Sequence, residues 1–308
     1  MPKHKYNGII LAIKAVRIIM KKILTIALVV VLALGCVFAF AACNDTEKVK
    51  VVSVALTTEK YAFAVNKSNG ELLARVNEIL NNKKAEIEAI KNKYLEAGDD
   101  LDQFGMDIAT ESTNKAEEFV VATNLEFAPF EYTVGNKIAG IDMEIAKLIA
   151  DELGKKLVVI HMEFDAVVTS VQSMPQTYDI AMAGLTVTPD RAELVDFTNP
   201  YFDTTQVLIV KESDTTFDAI AGSDKSAEEK TIAMNELLAT LTGDKAKCGG
   251  QKGTTSQYYI EGGLEYDGFE NLEFKAYTSA ALAVNDMLNG NIAFVVVDQA
   301  VANAIVAS

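Results

Sequence analysis

The chain has no tryptophan, five prolines, two histidines and three cysteines in 308 residues. Each scarcity removes a class of protein. Cys36 and Cys43 lie in an N-terminal apolar run, which leaves Cys248 alone in the body. That excludes a disulfide framework, and in AKCGGQ the lone thiol reads as a small buried strand residue. His161 is the sole histidine after the apolar run, so a Cys/His metal site, a Cys–His nucleophile or a histidine-based triad has almost nothing to be built from. Only His161 itself, at the end of LVVIH, could act as a base. No metal and no cofactor is expected. No Gly-x4-Gly-Lys-Ser/Thr run occurs, which excludes a P-loop. Positive charge is short as well. The first 43 residues hold six basic side chains and no acid, leaving 22 basic against 43 acidic residues, a net charge of −21, for the rest. A body so acidic repels the phosphates of nucleic acid, which is excluded as a partner.

Half of the residues are apolar, enough for two lobes with proper cores. Met20-Lys21-Lys22 followed by Ile23–Phe40 reads as the charged and apolar regions of an export signal, with residues 1–19 as an upstream extension. Small residues then precede Cys43, which resembles a bacterial lipoprotein cleavage site with Cys43 as the lipidated residue. Phe40 stands where that pattern usually has Leu, and Ala39-Phe40-Ala41 would also suit an ordinary signal peptidase. An uncleaved run of this length would just span a bilayer. All three readings put the body outside the cytoplasm, at the cell surface or in the periplasm, with a lipid anchor as the expected attachment.

One stretch organises the body: Ala181–Tyr201, AMAGLTVTPDRAELVDFTNPY. After residue 43 the chain keeps only two arginines, Arg75 and Arg191. Arg75 belongs to a helical pattern where a solvated face explains it. Arg191 follows a strand end and a Thr-Pro-Asp helix start. A guanidinium fork there, beside Thr186 and Thr188, suits a bidentate grip on a carboxylate. A surface salt bridge to Asp190 or Glu193 is the competing reading.

Strand and helix patterns alternate through the body. Val49–Val54 and Tyr61–Val65 read as strands, followed by a helical stripe of Leu72, Leu73, Val76, Ile79 and Leu80, repeated more weakly by Ile87, Ile90 and Tyr94. Gly98–Glu117 is polar and link-like. Glu118–Thr123 is a strand, Asn124–Tyr132 a loop, Ile141–Leu153 a helix, Leu157–His161 a strand, Phe164–Met174 a helix and Tyr178–Met182 a strand. Gln206–Val210 follows as a strand, then a polar stretch over Ala219–Lys247 whose boundaries are weak. Leu272–Tyr277, Ala280–Leu288 and Ile292–Val297 close the series as strand, helix and buried strand ending in Asp298. This is an α/β, doubly wound pattern.

AGLTVTPDRAELVDFTNPYF resembles the signature of the polar amino-acid solute-binding proteins of ABC importers, the family-3 extracellular binding proteins. Gly140-Ile141-Asp142-Met143-Glu144-Ile145, with Ile149, Ala150 and Leu153, is similar to that family's helix signature. The resemblance covers nearly all of the body and implies a two-lobed, type II periplasmic-binding-protein-like fold. Its segments stand in an unusual order. Residues 49–97 resemble the part that normally ends a family member after the return crossing between lobes, and the chain stops at Ser308 where that crossing should begin. The resemblance therefore implies a circular permutation, with 98–117 joining the old ends; a gene-model error or a truncated tandem repeat is the alternative. The expected domains are a leader over 1–43, lobe one over 44–205 and lobe two over 206–308. Lobe one comprises 49–97, the joining link 98–117 and the segment 118–205. The return strand, Val49–Val54, is expected in the hinge.

The resemblance also implies the site. Arg191 and Thr186 would hold the ligand's α-carboxylate from lobe one, and Thr255 from the start of a lobe-two helix, although Gly253-Thr254-Thr255 alone reads as a plain N-cap. Asp298, at the end of an all-apolar strand, would hold the α-ammonium with the Gly184 carbonyl, or it could cap the following helix. Phe127 and Phe164 match aromatics that sandwich the ligand; by residue type alone each reads as core. Asn124 stands where many members carry Asp, and Glu126 could receive a cationic side chain or simply be solvated. The implied function is capture of a polar L-amino acid, arginine- or lysine-like before glutamine-like, by a monomer that closes about its hinge and serves an ABC permease in the membrane. A prephenate-dehydratase-like enzyme, with Glu126 as its acid or base, and a surface sensory or adhesive domain are the rivals. The absence of a second membrane segment after Ser308 counts against a one-chain receptor.

Overall fold

A computed structural model describes residues 47–307; the expected leader over 1–43 and Cys43 lie outside the described residues. Strands β1 (Val49–Val52), β2 (Glu59–Tyr61) and β3 (Ala64–Asn66) come first, then helices α1 (Gly70–Asn82) and α2 (Lys84–Leu95). Next are β4 (Glu118–Thr123), β5 (Glu126–Phe127), β6 (Glu131–Val134), β7 (Lys137–Ala139) and α3 (Ile141–Glu152). They are followed by β8 (Lys156–His161), α4 (Phe164–Ser173), β9 (Ile180–Ala181), α5 (Pro189–Leu194), β10 (Val195–Phe197) and β11 (Phe202–Thr204). The remainder is β12 (Gln206–Lys211), α6 (Asp218–Ala221), α7 (Ala227–Leu238), β13 (Lys247–Gln251) and α8 (Thr255–Glu261). It ends with β14 (Glu273–Tyr277), α9 (Ala280–Leu288), β15 (Phe294–Asp298) and α10 (Gln299–Ala307).

Two five-stranded sheets carry the body, each the centre of a lobe. The first has the order β10-β3-β9-β4-β8, with β4 parallel to β8 and β9, and β3 antiparallel to both its neighbours. One face is covered by α1, α2 and α3: Val76, Ile79, Leu80, Ile87 and Tyr94 join Phe119, Val121, Ile145 and Ile149 in one core. These are the stripes that the 3.6-residue periodicity predicts, and each fully buried aliphatic side chain contributes about 1.5–3 kcal/mol. The other face packs on α4 through Val167, Val168 and Val171.

The second sheet has the order β1-β12-β15-β13-β14. Its central strands are apolar on both faces, and side-chain alternation deals them to two cores. Val207, Ile209, Val295 and Val297 meet Ala283, Met287 and Val301 from α9 and α10 on one side. Leu208, Val210, Phe294 and Val296 meet Met234, Leu238, Tyr259 and Ile260 on the other, together with the free, buried Cys248.

The structure corrects the expected boundaries at the hinge. Val49–Val52, expected with lobe one, pairs antiparallel with β12 and is the edge strand of the second sheet. The expected strand Tyr61–Val65 is two strands, because the chain changes partners between Tyr61 and Ala64. β2 pairs with β11 in a separate two-stranded ribbon, and β3 pairs with β10 and β9 in the first sheet. Two chain segments therefore cross between the lobes side by side, and the second crosses at β11, just before Gln206. The stretch Asn124–Tyr132, expected as loop, contains β5 and part of a small three-stranded sheet with β6 and β7. The polar region 219–247 contains α7, capped by a reciprocal Ser226–Glu229 box; that Ser-x-x-Glu spacing was the available signal. The link over 98–117 lies along the first lobe, with Met106 bridged to Ile138 and Ala109 to Val158. No described helix is long and apolar enough to cross a membrane.

Candidate functional site

Arg191 is placed by its own helix start. Pro189 opens α5, and the Thr188 hydroxyl accepts the Arg191 N–H at 3.3 Å. The guanidinium turns back into the cleft, where Nη1 donates to the Thr186 carbonyl at 2.9 Å and Nη2 to the Gly253 carbonyl of the second lobe at 3.1 Å. It lies over the Phe164 ring, 5.4 Å from the centroid. Neither Asp190 nor Glu193 takes the fork. Burial pulls the Arg191 pKa down, and Glu59 heads the negative groups that oppose this.

Glu59 is the residue that sequence reasoning missed. It lies on β2 in the polar run Thr-Thr-Glu-Lys, which reads locally as a solvated turn, yet it is only 3% exposed. One nearby and two distant hydroxyls donate to it: Thr57 to Oε1 at 2.8 Å, and Thr186 and Thr255 to Oε2 at 2.7 and 2.8 Å. Thr186 belongs to the first lobe and Thr255 to the second, so one carboxylate oxygen joins them. Nothing in the TTEK stretch announces partners so far along the chain.

Asp298 ends β15 opposite Gln206, the first residue of β12. It is 4% exposed; its Oδ1 completes no hydrogen bond of normal geometry, and the Tyr61 hydroxyl and the Gln206 amide lie beside it as donors that favour the ionised form. Burial, followed by the charge of Glu59, pushes its pKa up to about 7. The buried Tyr61 hydroxyl, which lies beside Asp298, is pushed upward by burial and then by the Asp298 carboxylate. Gln206 ties the second-lobe side together: its Nε2 donates to the Thr255 hydroxyl at 3.2 Å and its Oε1 accepts the Ser256 hydroxyl at 2.7 Å.

Gly184 is held from beneath. Its N–H donates to Asp142 Oδ2 at 3.0 Å, and the other Asp142 oxygen accepts the Tyr201 hydroxyl. The Gly-Ile-Asp helix start thus clamps the Gly184 turn. Asp142 is fully buried with Glu131 as its neighbour; burial pushes the Asp142 pKa up to about 7 and that of Glu131 well above the carboxylate range, where Asp142 and then Asp298 add to the effect. Phe127 packs over Gly184, so that a Cβ there would lie 2.9 Å from its ring, and stacks on Phe130 with centroids 6.0 Å apart.

The remaining candidates have other duties. Asn124 spends its amide on the Met162 carbonyl at 2.9 Å and accepts Gln251 Nε2 from the second lobe at 2.9 Å. His161 accepts the Leu125 N–H through Nδ1 at 3.0 Å, a structural bond. Glu126 is exposed and lines a cavity of about 620 Å³ with Tyr132, Ser279 and Ile305, and no other candidate shares that lining. Gly184, Thr186, Arg191, Phe164, Thr255 and Asp298 are gathered around Glu59, Tyr61 and Gln206, whereas Glu126 stands apart. Lys252 and Asp165 add an ion pair of 2.8 Å across the cleft mouth.

Comparison with known proteins bears on this cleft. Residues 119–292 match the family model described as bacterial extracellular solute-binding proteins, family 3. The chain is 29% identical over 136 residues to the arginine-binding extracellular protein ArtP of Bacillus subtilis, covering 44% of this chain and 50% of that protein. It is 29% identical over 199 residues to a probable histidine-binding protein of Neisseria gonorrhoeae, covering 64% and 65%. The matched part thus spans about half to two thirds of these relatives. Among solved structures, an ancestral arginine-binding protein bound to arginine is similar at 30% identity with a TM-score of 0.50, covering 63% of this chain and 75% of that one.

Proposed function

Because the chain belongs to the bacterial extracellular solute-binding proteins, family 3, we propose that it captures a polar amino acid in the cleft between its lobes. The observation that carries this is the pairing of opposite groups there. The Arg191 fork spans the Thr186 and Gly253 carbonyls, suited to a carboxylate, and the buried Asp298, which has the Tyr61 hydroxyl and the Gln206 amide beside it but no ion-pair partner among the described residues, is suited to an ammonium. Phe164 beneath the guanidinium and Phe127 over Gly184 supply the apolar walls. The relatives are named for arginine and histidine, which supports a cationic amino acid before a glutamine-like one. They are named as binding proteins, which supports capture rather than dehydration, and Glu126, the acid a dehydratase would use, faces another cavity. Contacts split between lobes favour the closed state by their differential affinity. We assign delivery to an ABC permease as the purpose of that closure, by a monomer held to the membrane through lipidated Cys43. Thermal-shift screening of the purified protein tests the reading: a ligand at about 100 times its dissociation constant adds about 2.7 kcal/mol of stability. A shift with arginine, lysine or histidine is expected; no shift with any of the twenty amino acids overturns it.

Asp298 makes the binding depend on pH. Its carboxyl, at about 7, is partly protonated near neutrality, whereas an ammonium partner requires it ionised. Affinity should therefore rise from pH 6 to pH 8, with protons released on binding. Titration calorimetry in buffers of different ionisation enthalpy reads both quantities, and Asp298→Asn should abolish the proton release.

The order of segments supports the circular permutation. β1 and β2 form one crossing and lie before the matched residues 119–292, whereas the β11–β12 crossing beside them lies within that match. Moving residues 48–98 behind residue 307 by a short linker should preserve folding and ligand affinity. A rearranged chain that fails to fold would count against the permutation.

A further inference from the structure

We infer that Glu59 sets the charge preference of the cleft and thereby selects a cationic amino acid, an assignment that rests on the amino-acid-binding reading above. A hydroxyl has one proton to give and two lone pairs with which to accept. Thr186 and Thr255 both direct that proton to Glu59 Oε2. Their oxygens can then only accept, and Thr255 already does so from Gln206 Nε2 at 3.2 Å. The side-chain hydroxyls of the two threonines expected to hold a ligand carboxylate are thus turned into acceptors, and Arg191 is left as the side chain that grips it.

The charge balance points the same way. Among the described residues Arg191 is the buried cation that faces Glu59 and Asp298, which leaves one excess negative charge when both acids are ionised; Lys60, which lines the cavity beside Glu59, is exposed and paired with Asp203 at 2.6 Å. Lys252 lies at the mouth with its own partner, Asp165. A buried site holding uncompensated charge is costly. The carboxylate and ammonium of an amino acid cancel one another, so a neutral side chain leaves the excess standing and a cationic side chain removes it. Glu59 also accepts from both lobes through one oxygen, so it holds this arrangement only when the lobes are together.

The test compares the purified protein with Glu59→Gln and Glu59→Asp by titration calorimetry against arginine, lysine and glutamine. Glutamine keeps the size and an acceptor oxygen but loses the charge. Arginine and lysine affinity should fall about tenfold or more in Glu59→Gln while glutamine affinity changes less than about threefold, the scale of one charged hydrogen-bonding partner. Glu59→Asp keeps the charge with a shorter reach, and should keep the preference for arginine whatever its overall affinity. An equal loss for all three ligands overturns the inference, since Glu59 would then only tie the lobes together. Tighter binding of all three overturns it too, since Glu59 would then be competing with the ligand's carboxylate. An unsubstituted protein that binds none of them removes the amino-acid reading itself, and is seen before any substitution is made.

Discussion

Replacing Arg191 by Ala is expected to weaken amino-acid binding by about 2–5 kcal/mol, the usual result of truncating one partner of a buried charge pair. Three losses combine. The Thr186 and Gly253 carbonyls lose their donor, the latter being a direct tie between the lobes. Glu59 loses the cation that faces it. The ligand's carboxylate would enter a cleft whose hydroxyls are committed elsewhere and whose remaining charges are negative. Arg191→Lys should fall between, because a single ammonium cannot reproduce a fork that spans two carbonyls. Arg75→Ala is the control: that arginine is exposed, pairs with Glu78 at 2.7 Å on its own helix, and should change binding not at all. Calorimetric titration of the three variants decides the matter, and near-parent affinity in Arg191→Ala would remove the carboxylate assignment.

Gly140→Ala should be the most damaging conservative change to stability. Gly140 precedes α3 with φ at 126°, a conformation that side chains rarely adopt, and an added Cβ would lie 2.0 Å from the Phe130 carbonyl oxygen. The neighbour is backbone, and it is held: Phe130 O accepts the Asp142 N–H at 2.9 Å, and Pro129 O accepts the Ile141 N–H at 2.9 Å. Neither side can yield without breaking the start of the helix that carries Asp142 to Gly184. A cost of about 3 kcal/mol or more is expected from strain and displaced packing together. At about 2–4 °C per kcal/mol for a body of this size, that lowers Tm by roughly 6–12 °C or prevents folding. Gly70→Ala, where nothing lies within 4 Å of the new carbon, should leave Tm unchanged or slightly raised. Thermal unfolding of the pair separates steric conflict from the general effect of removing a glycine.

Much of this architecture can be read from local pattern. The strands Glu118–Thr123 and Gln206–Lys211 and the helix Ala280–Leu288 lie where apolar runs and 3.6-residue spacing put them, because burial on one or both faces dictates those patterns. Arg191 was legible for a local reason as well, the Thr-Pro-Asp start that aims it. The hinge was not. Ala62 and Phe63 are as buried as the strand residues on either side, so hydrophobicity runs unbroken through the point where the chain changes sheets. Glu59 was illegible for the opposite reason: its burial depends on hydroxyls at positions 186 and 255, which no window around Thr57-Thr58-Glu59-Lys60 contains. Asn124 shows a third limit. Its position matched a ligand-binding place, yet Gln251 and the Met162 carbonyl, 127 and 38 residues away along the chain, occupy its amide.

The edge position of β1 bears on biosynthesis. β1 is the first strand of the described body to leave the ribosome, but its pairing partner β12 follows only after the whole first lobe has been translated. The first lobe, from β3 to β10, is a continuous length of chain and can fold as it emerges, whereas the second needs strands from both ends of the body. Until β12 appears, β1 must wait unpaired, and at four residues with a lysine among them it offers little template for pairing with another chain. Nascent chains halted before residue 206 should therefore contain a folded first lobe trailing a protease-sensitive N-terminal tail, and those carried through β15 should not.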